Sequence, residues 1–207
     1  MSYVPLRLPA DLGSELRTFV IHRIEGYLRE AHDLLGMSVP DRDKGRSQFH
    51  SAVSLLLLST VGGISKTLYA PGRDHDAKKF KGVLRKWCPW TLDKPEGISS
   101  DGAGNILYEV FRCPLVHSLG IDKNDGRKIK LGLLEFKADE SASAHIADIA
   151  RASERPNKPS IVHNSEKTVL WLHSFYWGIR HMIEEMLKHE GVQKQGLDEL
   201  TRLYNLK

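Results

Sequence analysis

The stretch "SQFHSAVSLLLLSTVGGISKTLY" (Ser47–Tyr69) decides how we expect this chain to fold. Its four consecutive leucines, Leu55–Leu58, point all around a helix, because successive residues are about 100° apart around the axis. A helix that is apolar on every side is buried, so we expect this one at the centre of the protein. Gly62 and Gly63 each weaken a helix by about 1 kcal/mol relative to Ala. We therefore expect another helix to pack closely against them.

Three further segments have the apolar periodicity of long amphipathic helices, with apolar residues at three- and four-residue steps. They are residues 11–35, 105–119 and 165–189. Ser165 is placed to cap the last of them, with Glu166 in its first turn. The sequence thus predicts four long helices.

Shorter elements fill the rest of the chain. Short helices are expected at 78–87, 143–152 and 197–204, and the turn formers of residues 93–104 indicate a loop. Alternating apolar residues from Ile129 onward fit a small strand pair near 128–137. The predicted fold class is therefore all-α: a bundle of four long helices with short extra helices and this strand pair.

Length and composition narrow the class of protein. The 207 residues suit one domain, residues 1–207, and carry a formal charge of +4. The longest apolar run is Leu55–Leu58, far short of a membrane span, and "MSYVPLRLPADLG" at the start lacks the apolar part of a signal peptide. Two cysteines, Cys88 and Cys113, fit neither a disulfide framework nor a zinc site. We expect a cytoplasmic protein without a membrane partner, metal or cofactor.

The segment "YEVFRCPLVHSLG" (Tyr108–Gly120) carries the candidate chemistry. Arg112 and His117 have four residues between them, but so do Arg17 and His22, so spacing alone does not distinguish the two pairs. The helix around Arg17 is expected to be regular, which places that pair about 140° apart around the axis.

Pro114 distinguishes the second pair. Pro114 removes a backbone hydrogen bond and crowds the preceding turn near Val110, so the helix should kink or relax into a wider turn. A wider turn could bring Arg112 and His117 to nearly one face. Glu109 and Cys113 should then edge the same patch.

This segment resembles the signature of HEPN domains, all-α bundles marked by an Arg and a His with four to six residues between them. The residue after the Arg is usually polar in that family, and here it is Cys113. The resemblance implies a homodimer whose two motifs face each other, and a metal-independent ribonuclease of the kind found in toxin–antitoxin and antiviral systems. An antitoxin or other protein partner would fit such a system.

The chemistry of RNA cleavage suits these residue types. The 2′-hydroxyl attacks the adjacent phosphate, which requires a base near neutral pH such as His117. Arg112 stays charged and can bind two phosphate oxygens at once. We therefore predict Arg112, His117 and Glu109 as catalytic residues, and Cys113 as a substrate-binding residue.

A basic helix is the expected site of non-specific RNA contact. Its substrate-binding candidates are Lys78, Lys79, Lys81, Arg85 and Lys86. Two alternatives remain: a non-catalytic HEPN-like module that binds a nucleotide, nucleic acid or protein partner, and a purely structural helical dimer. In the structural alternative, Arg112 forms a buried pair with Glu109 and His117 is a core residue.

Overall fold

The computed structural model describes residues 3–37, 49–69, 75–118, 128–132 and 158–204, without the side chains of residues 37, 116–118 and 128–132. The described chain is mostly helical, as the periodicity predicts. The short helix expected at 143–152 lies outside these residues.

Six helices and three strands make up the described fold. Helix α1 covers residues 14–37 (Ser14–Phe19, Val20–Ile24 and Glu25–Met37), and α2 covers residues 50–69 (His50–Ile64 and Ser65–Tyr69). Then come α3 (Asp76–Trp87) and α4, residues 100–118 (Ser100–Ile106, Leu107–Arg112 and Cys113–Ser118). The remaining elements are β1 (Lys128–Gly132), β2 (Ile161–His163), β3 (Lys167–Trp171), α5 (Leu172–Leu187) and α6 (Glu190–Tyr204).

Helix α2 is central and buried, as its leucines predict. It contacts α1, α3, α4 and α5 along its length, and its last turn contacts α6. Val53, Leu57, Leu58, Val61 and Leu68 are fully buried. Burying an aliphatic side chain contributes about 1.5–3 kcal/mol, so this helix organises the core.

By length and composition, α2 could cross a membrane, which the run of four leucines did not predict. Over residues His50–Tyr69, its most apolar window has a mean hydropathy of 1.4. However, 61% of that window is buried inside the protein. The core helix of a soluble protein has the same features, so α2 is weak evidence for a membrane span.

A small sheet replaces the beginning of the last predicted long helix. Lys167–Trp171 is a strand, and the helix begins only at Leu172, so Ser165 does not cap it. The strand β3 pairs in parallel with β1 and antiparallel with β2. The strand expected near residue 128 is therefore present and pairs with residues 167–171, while residues 133–137 of the expected strand pair lie outside the described residues. Strand pairing over a long sequence separation outweighed the local helical periodicity.

Two other boundaries differ from the prediction. Helix α4 begins at Ser100, inside the expected loop, because the side chain of Ser99 accepts a hydrogen bond from the backbone N–H of Gly102 at 3.1 Å. Helix α6 begins at Glu190, seven residues before the predicted start at Leu197.

Candidate functional site

The wider turn expected ahead of Pro114 is present in α4. Residues Leu107–Arg112 form a π-helical segment, and the backbone N–H of Cys113 bonds the carbonyl of Tyr108, five residues back. Pro114 has no N–H to donate, and its ring would crowd the preceding turn of a regular α-helix. The wide turn lies in that preceding part of the helix. The sequence therefore predicted this local structure correctly.

The wide turn lies before Arg112, not between Arg112 and His117. The backbone from Cys113 to Ser118 is α-helical, so the two positions are about 140° apart around the axis. The expected alignment of this pair on one face is not produced by the turn. The side chain of His117 lies outside the described part of the structure.

Arg112 sits on two aromatic rings. Its guanidinium carbon lies 5.2 Å from the ring centre of Tyr108 and 5.5 Å from that of Phe80, a residue of α3. The Nε atom is buried and has no hydrogen-bond partner among the described residues. A buried donor without a partner costs free energy. Because Nε itself is buried and Arg112 as a whole is half-buried, an incoming acceptor would reach the guanidinium through its other nitrogen atoms.

Gly62 makes room for this arginine. A Cβ atom built at Gly62 would lie 3.5 Å from Nη2 and 3.7 Å from Nε of Arg112. Close packing against Gly62 was expected, and the contacting group is the guanidinium of α4. Among the described residues, no heavy atom lies within 4 Å of a Cβ built at Gly63, so no close packing is seen at that position.

Glu109 is an exposed residue at the edge of this cluster. Its carboxylate pairs with Lys81 Nζ at 2.5 Å, and the side chain is 64% exposed. The buried Arg112–Glu109 pair of the structural alternative is therefore not formed. Lys81 also lies 5.4 Å from the ring centre of Tyr108, on which Arg112 stacks.

A second ion pair joins the ends of α2 and α3 nearby. Lys66 Nζ lies 3.0 Å from the carboxylate of Asp76. A hydrogen bond from Lys66 lowers the pKa of Asp76 below its ordinary value, and the charges of Lys66, Arg112 and Lys79 lower it further. The four cations and two carboxylates of this cluster leave it positively charged. We call it the Arg112 corner: Lys66, Asp76, Lys79, Lys81, Glu109 and Arg112.

The five basic residues predicted on α3 do not share one surface. Lys78, Arg85 and Lys86 are exposed, Lys81 is half-buried, and Lys79 is only 5% exposed. The prediction of a common basic face that includes Lys79 is therefore wrong, because residues 79, 80, 83 and 84 form the buried side of the helix. Cys113 is a half-buried free thiol next to Arg112 in the chain.

The comparison pair Arg17–His22 has a different environment. Arg17 Nη2 donates to the carbonyls of Pro9 at 2.6 Å and Ala10 at 3.3 Å, so it fastens the N-terminal segment to α1. The expected regular helix is not observed there, because Val20–Ile24 is π-helical. A wide turn therefore occurs without a proline, and the turn alone does not mark a site.

Several residues of the site were not predicted. Phe80, Tyr108, Lys66 and Asp76 come from three helices, and their convergence depends on the packing of α3 and α4 against α2. The paired glycines of α2 were the one sequence signal for this approach. No group of three or more metal-ligating side chains occurs within the described ranges.

Comparisons with known proteins find no matching family model, curated protein or solved structure.

Proposed function

We propose that the protein is a metal-independent endoribonuclease of the HEPN type, with Arg112 as its phosphate-binding residue. The observation that carries the proposal is the guanidinium of Arg112, stacked on Tyr108 and Phe80 with a buried Nε that lacks a partner among the described residues. Stacking uses the flat face of a guanidinium and leaves its N–H donors, which point outward in the plane, for a phosphate.

The proposed reaction balances with two proton transfers. His117 takes the proton of the 2′-hydroxyl as its oxygen bonds phosphorus, and the bond from phosphorus to the 5′-oxygen breaks. His117 of the partner subunit gives a proton to the leaving 5′-oxygen. The products are a 2′,3′-cyclic phosphate and a 5′-hydroxyl. Arg112 stabilises the charge on the phosphate oxygens, and Lys81 adds positive charge nearby.

The proposal includes the assembly and setting that the resemblance implies. The four long helices would form the HEPN-type bundle, and two copies would face each other across their Arg112 corners in the cytoplasm, within a toxin–antitoxin or antiviral system. A homodimer provides the acid that one protomer lacks. Sedimentation that shows only monomer across micromolar concentrations would contradict this part.

A non-catalytic HEPN-like module is the second candidate, and one observation favours it. The α-helical backbone after Arg112 leaves His117 about 140° from Arg112, so a single protomer does not place both residues on one face. Such a module would bind the phosphates of RNA at Arg112 without cutting them.

RNA cleavage in the presence of EDTA tests the proposal and separates the two candidates. We expect the purified protein to cut a mixed RNA pool with EDTA present, and His117→Ala to slow cleavage by about 10²–10⁴-fold. His22→Ala is the matched control, since His22 is exposed and follows Arg17 at the same spacing. RNA binding without any cleavage would favour the non-catalytic module. Normal cleavage by a folded His117→Ala protein would exclude the mechanism.

A further inference from the structure

Two aromatic and imidazole pairs lie on the surface away from the Arg112 corner. Trp177 and His181 of α5 stack in parallel, with ring centres 5.3 Å apart and an angle of 8° between the planes. Both are half-exposed. The stacked pair is thus partly open to solvent, and the open part of an aromatic ring is a place on which a nucleic-acid base can stack.

The second pair joins the end of α3 to the residues that follow α5. The ring centre of Trp87 lies 4.6 Å from that of His189 with an angle of 67° between the planes, an edge-to-face contact, and Lys86 Nζ lies 5.1 Å from the centre of the same indole. Lys86 and His189 are exposed and Trp87 is half-exposed. The buried Nε1 of Trp87 has no hydrogen-bond partner in the described part of the chain.

The two pairs are continuous through Glu185. Residues 177, 181 and 185 follow at four-residue steps on α5, and His189 comes four residues later. The carboxylate of Glu185 lies on this face and pairs with Lys188 Nζ at 2.5 Å, which offsets its negative charge. We call the surface formed by Lys86, Trp87, His189, His181 and Trp177 the Trp–His strip.

Helix α3 connects this strip to the Arg112 corner. Lys81 contacts Glu109 and Tyr108 at the corner, and Trp87 is six residues further along the same helix, about 9 Å along its axis. Arg85, which lies between Lys81 and Trp87 in the chain, and Lys86, which belongs to the strip, are both exposed. Lys81 and Trp87 lie about 120° apart around the helix, so a polyanion bound at Arg112 would pass over Arg85 and Lys86 to reach the strip.

We propose that the Trp–His strip binds single-stranded RNA, with bases stacked on Trp177 and Trp87 and a phosphate held by Lys86. The inference rests on the proposed function for its connection to Arg112, but binding at the strip is measurable without cleavage. Stacking on aromatic rings next to cations is the general way in which proteins hold single strands with little sequence preference. The chain's pI of about 9.0 suits a polyanionic partner.

Fluorescence anisotropy with a labelled 2′-O-methyl oligouridine tests the strip separately from cleavage, since that RNA has no free 2′-hydroxyl to attack. We expect Trp177→Ala and Trp87→Ala each to weaken binding by about 5- to 150-fold, the range for one lost stacked base. Trp177→Phe should retain most of the affinity. Lys86→Ala should weaken binding and reduce the slope of log affinity against log salt by about 0.7. Each variant is first checked for an unchanged melting temperature.

Tyr204→Ala is the matched control for loss of an exposed aromatic ring. Tyr204 is 54% exposed and lies at the far end of α6, about 21 Å along the helix from Glu190. We expect this variant to bind like the wild type, and a duplex RNA to bind with no dependence on Trp177. The proposal is overturned if Trp177→Ala and Lys86→Ala both bind the oligouridine like the wild type. Cleavage by the wild type together with oligouridine binding that does not depend on the strip would exclude the strip proposal alone. Strip-dependent binding by a wild type that does not cleave RNA would exclude the nuclease proposal alone.

Discussion

Among the described residues, Arg112 and Arg180 each lie over two aromatic rings, and their surroundings differ. Arg180 of α5 lies 5.3 Å from the ring centre of Tyr3 and 5.8 Å from that of Tyr176. Arg112 of α4 lies at similar distances from Tyr108 and Phe80. The stacking geometry is therefore shared, and the difference lies in what the nitrogen atoms contact.

The nitrogen atoms of Arg180 are used by the protein itself. Its Nη2 donates to the carbonyl of Pro5 at 3.1 Å and lies 3.9 Å from the carboxylate of Glu184, and the side chain is 5% exposed. Arg112 makes no such bond with the described residues, and its Nε is buried without a partner. An arginine that lies over aromatic rings therefore does not have a binding role on that ground alone. An arginine with satisfied donors fastens the fold, whereas one with unused donors is available to a ligand.

Replacing Arg180 should produce the largest loss of stability. Arg180→Ala removes a buried stacked group and leaves the Pro5 carbonyl without its donor, so we expect a loss of about 2–5 kcal/mol in the free energy of unfolding. Urea unfolding measures this change. Arg23→Ala is the control, because Arg23 is exposed on α1, and it should barely change the unfolding midpoint. An unchanged midpoint for Arg180→Ala would remove the distinction between the two arginines.

The tyrosines around Arg180 should make the protein sensitive to alkali. Burial raises the pKa values of both Tyr3 and Tyr176 above the ordinary value near 10. The unfolded chain then loses these protons first, so the stability that they contribute is present below pH 10 and declines as the pH rises above it. Thermal melts between pH 8 and pH 11 should show this decline.

Tyr176→Phe should make that decline shallower, because the replaced side chain no longer titrates. Tyr204→Phe, at an exposed position, should leave the pH dependence unchanged. An equally steep decline in the Tyr176→Phe protein would show that Tyr176 does not contribute to it.

The adjacent glycines of α2 provide a test of the space around Arg112. Gly62→Ala and Gly63→Ala should each stabilise the helix by up to about 1 kcal/mol, since the added Cβ has ordinary or open contacts at both positions. The larger Gly62→Leu should displace the guanidinium of Arg112 and reduce RNA cleavage. The leucine side chain of Gly63→Leu would point away from Arg112 into open space, so this variant should cleave RNA like the wild type. Equal cleavage by the two leucine variants would contradict the position assigned to Arg112.

The ion pair at the edge of the corner should have the smallest effect. Glu109 is mostly exposed and Lys81 is 29% exposed, so their attraction is screened by solvent. We expect Glu109→Gln to change the free energy of unfolding by less than about 1 kcal/mol in a denaturant titration. A larger loss would mean that Glu109 has a structural role that its exposure does not indicate.

The sequence predicted the parts of this protein that depend on local patterns. The leucines of α2 predicted a central helix, and Pro114 predicted the wide turn ahead of it. Residues 167–171 were predicted as helix, although they pair antiparallel with Ile161–His163 just before them. Their other partner strand, Lys128–Gly132, is about 40 residues earlier in the chain. Local periodicity carries no information about such a pairing.

The same limit applies to the candidate site. Arg112 was found from its neighbours in the sequence, but the rings that hold it come from helix packing. Phe80 lies 32 residues before Arg112, and no local pattern joins them. Lys79 was placed on an exposed basic face because of its charge, whereas the position of α3 against the core buries it.

The most direct test of the account compares Arg112 with Arg180 in two assays on the same proteins. Urea midpoints and RNA cleavage in EDTA are measured for the wild type, Arg112→Ala, Arg112→Lys and Arg180→Ala. We expect Arg112→Ala to keep its urea midpoint but to lose RNA cleavage by about 10²-fold or more. Arg112→Lys should restore cleavage poorly, because Lys cannot contact two phosphate oxygens at once. Arg180→Ala should show the opposite pattern at temperatures where it remains folded. Two results would contradict a phosphate-binding role for Arg112. One is cleavage at the wild-type rate by a folded Arg112→Ala protein, and the other is a loss of stability in Arg112→Ala as large as that in Arg180→Ala.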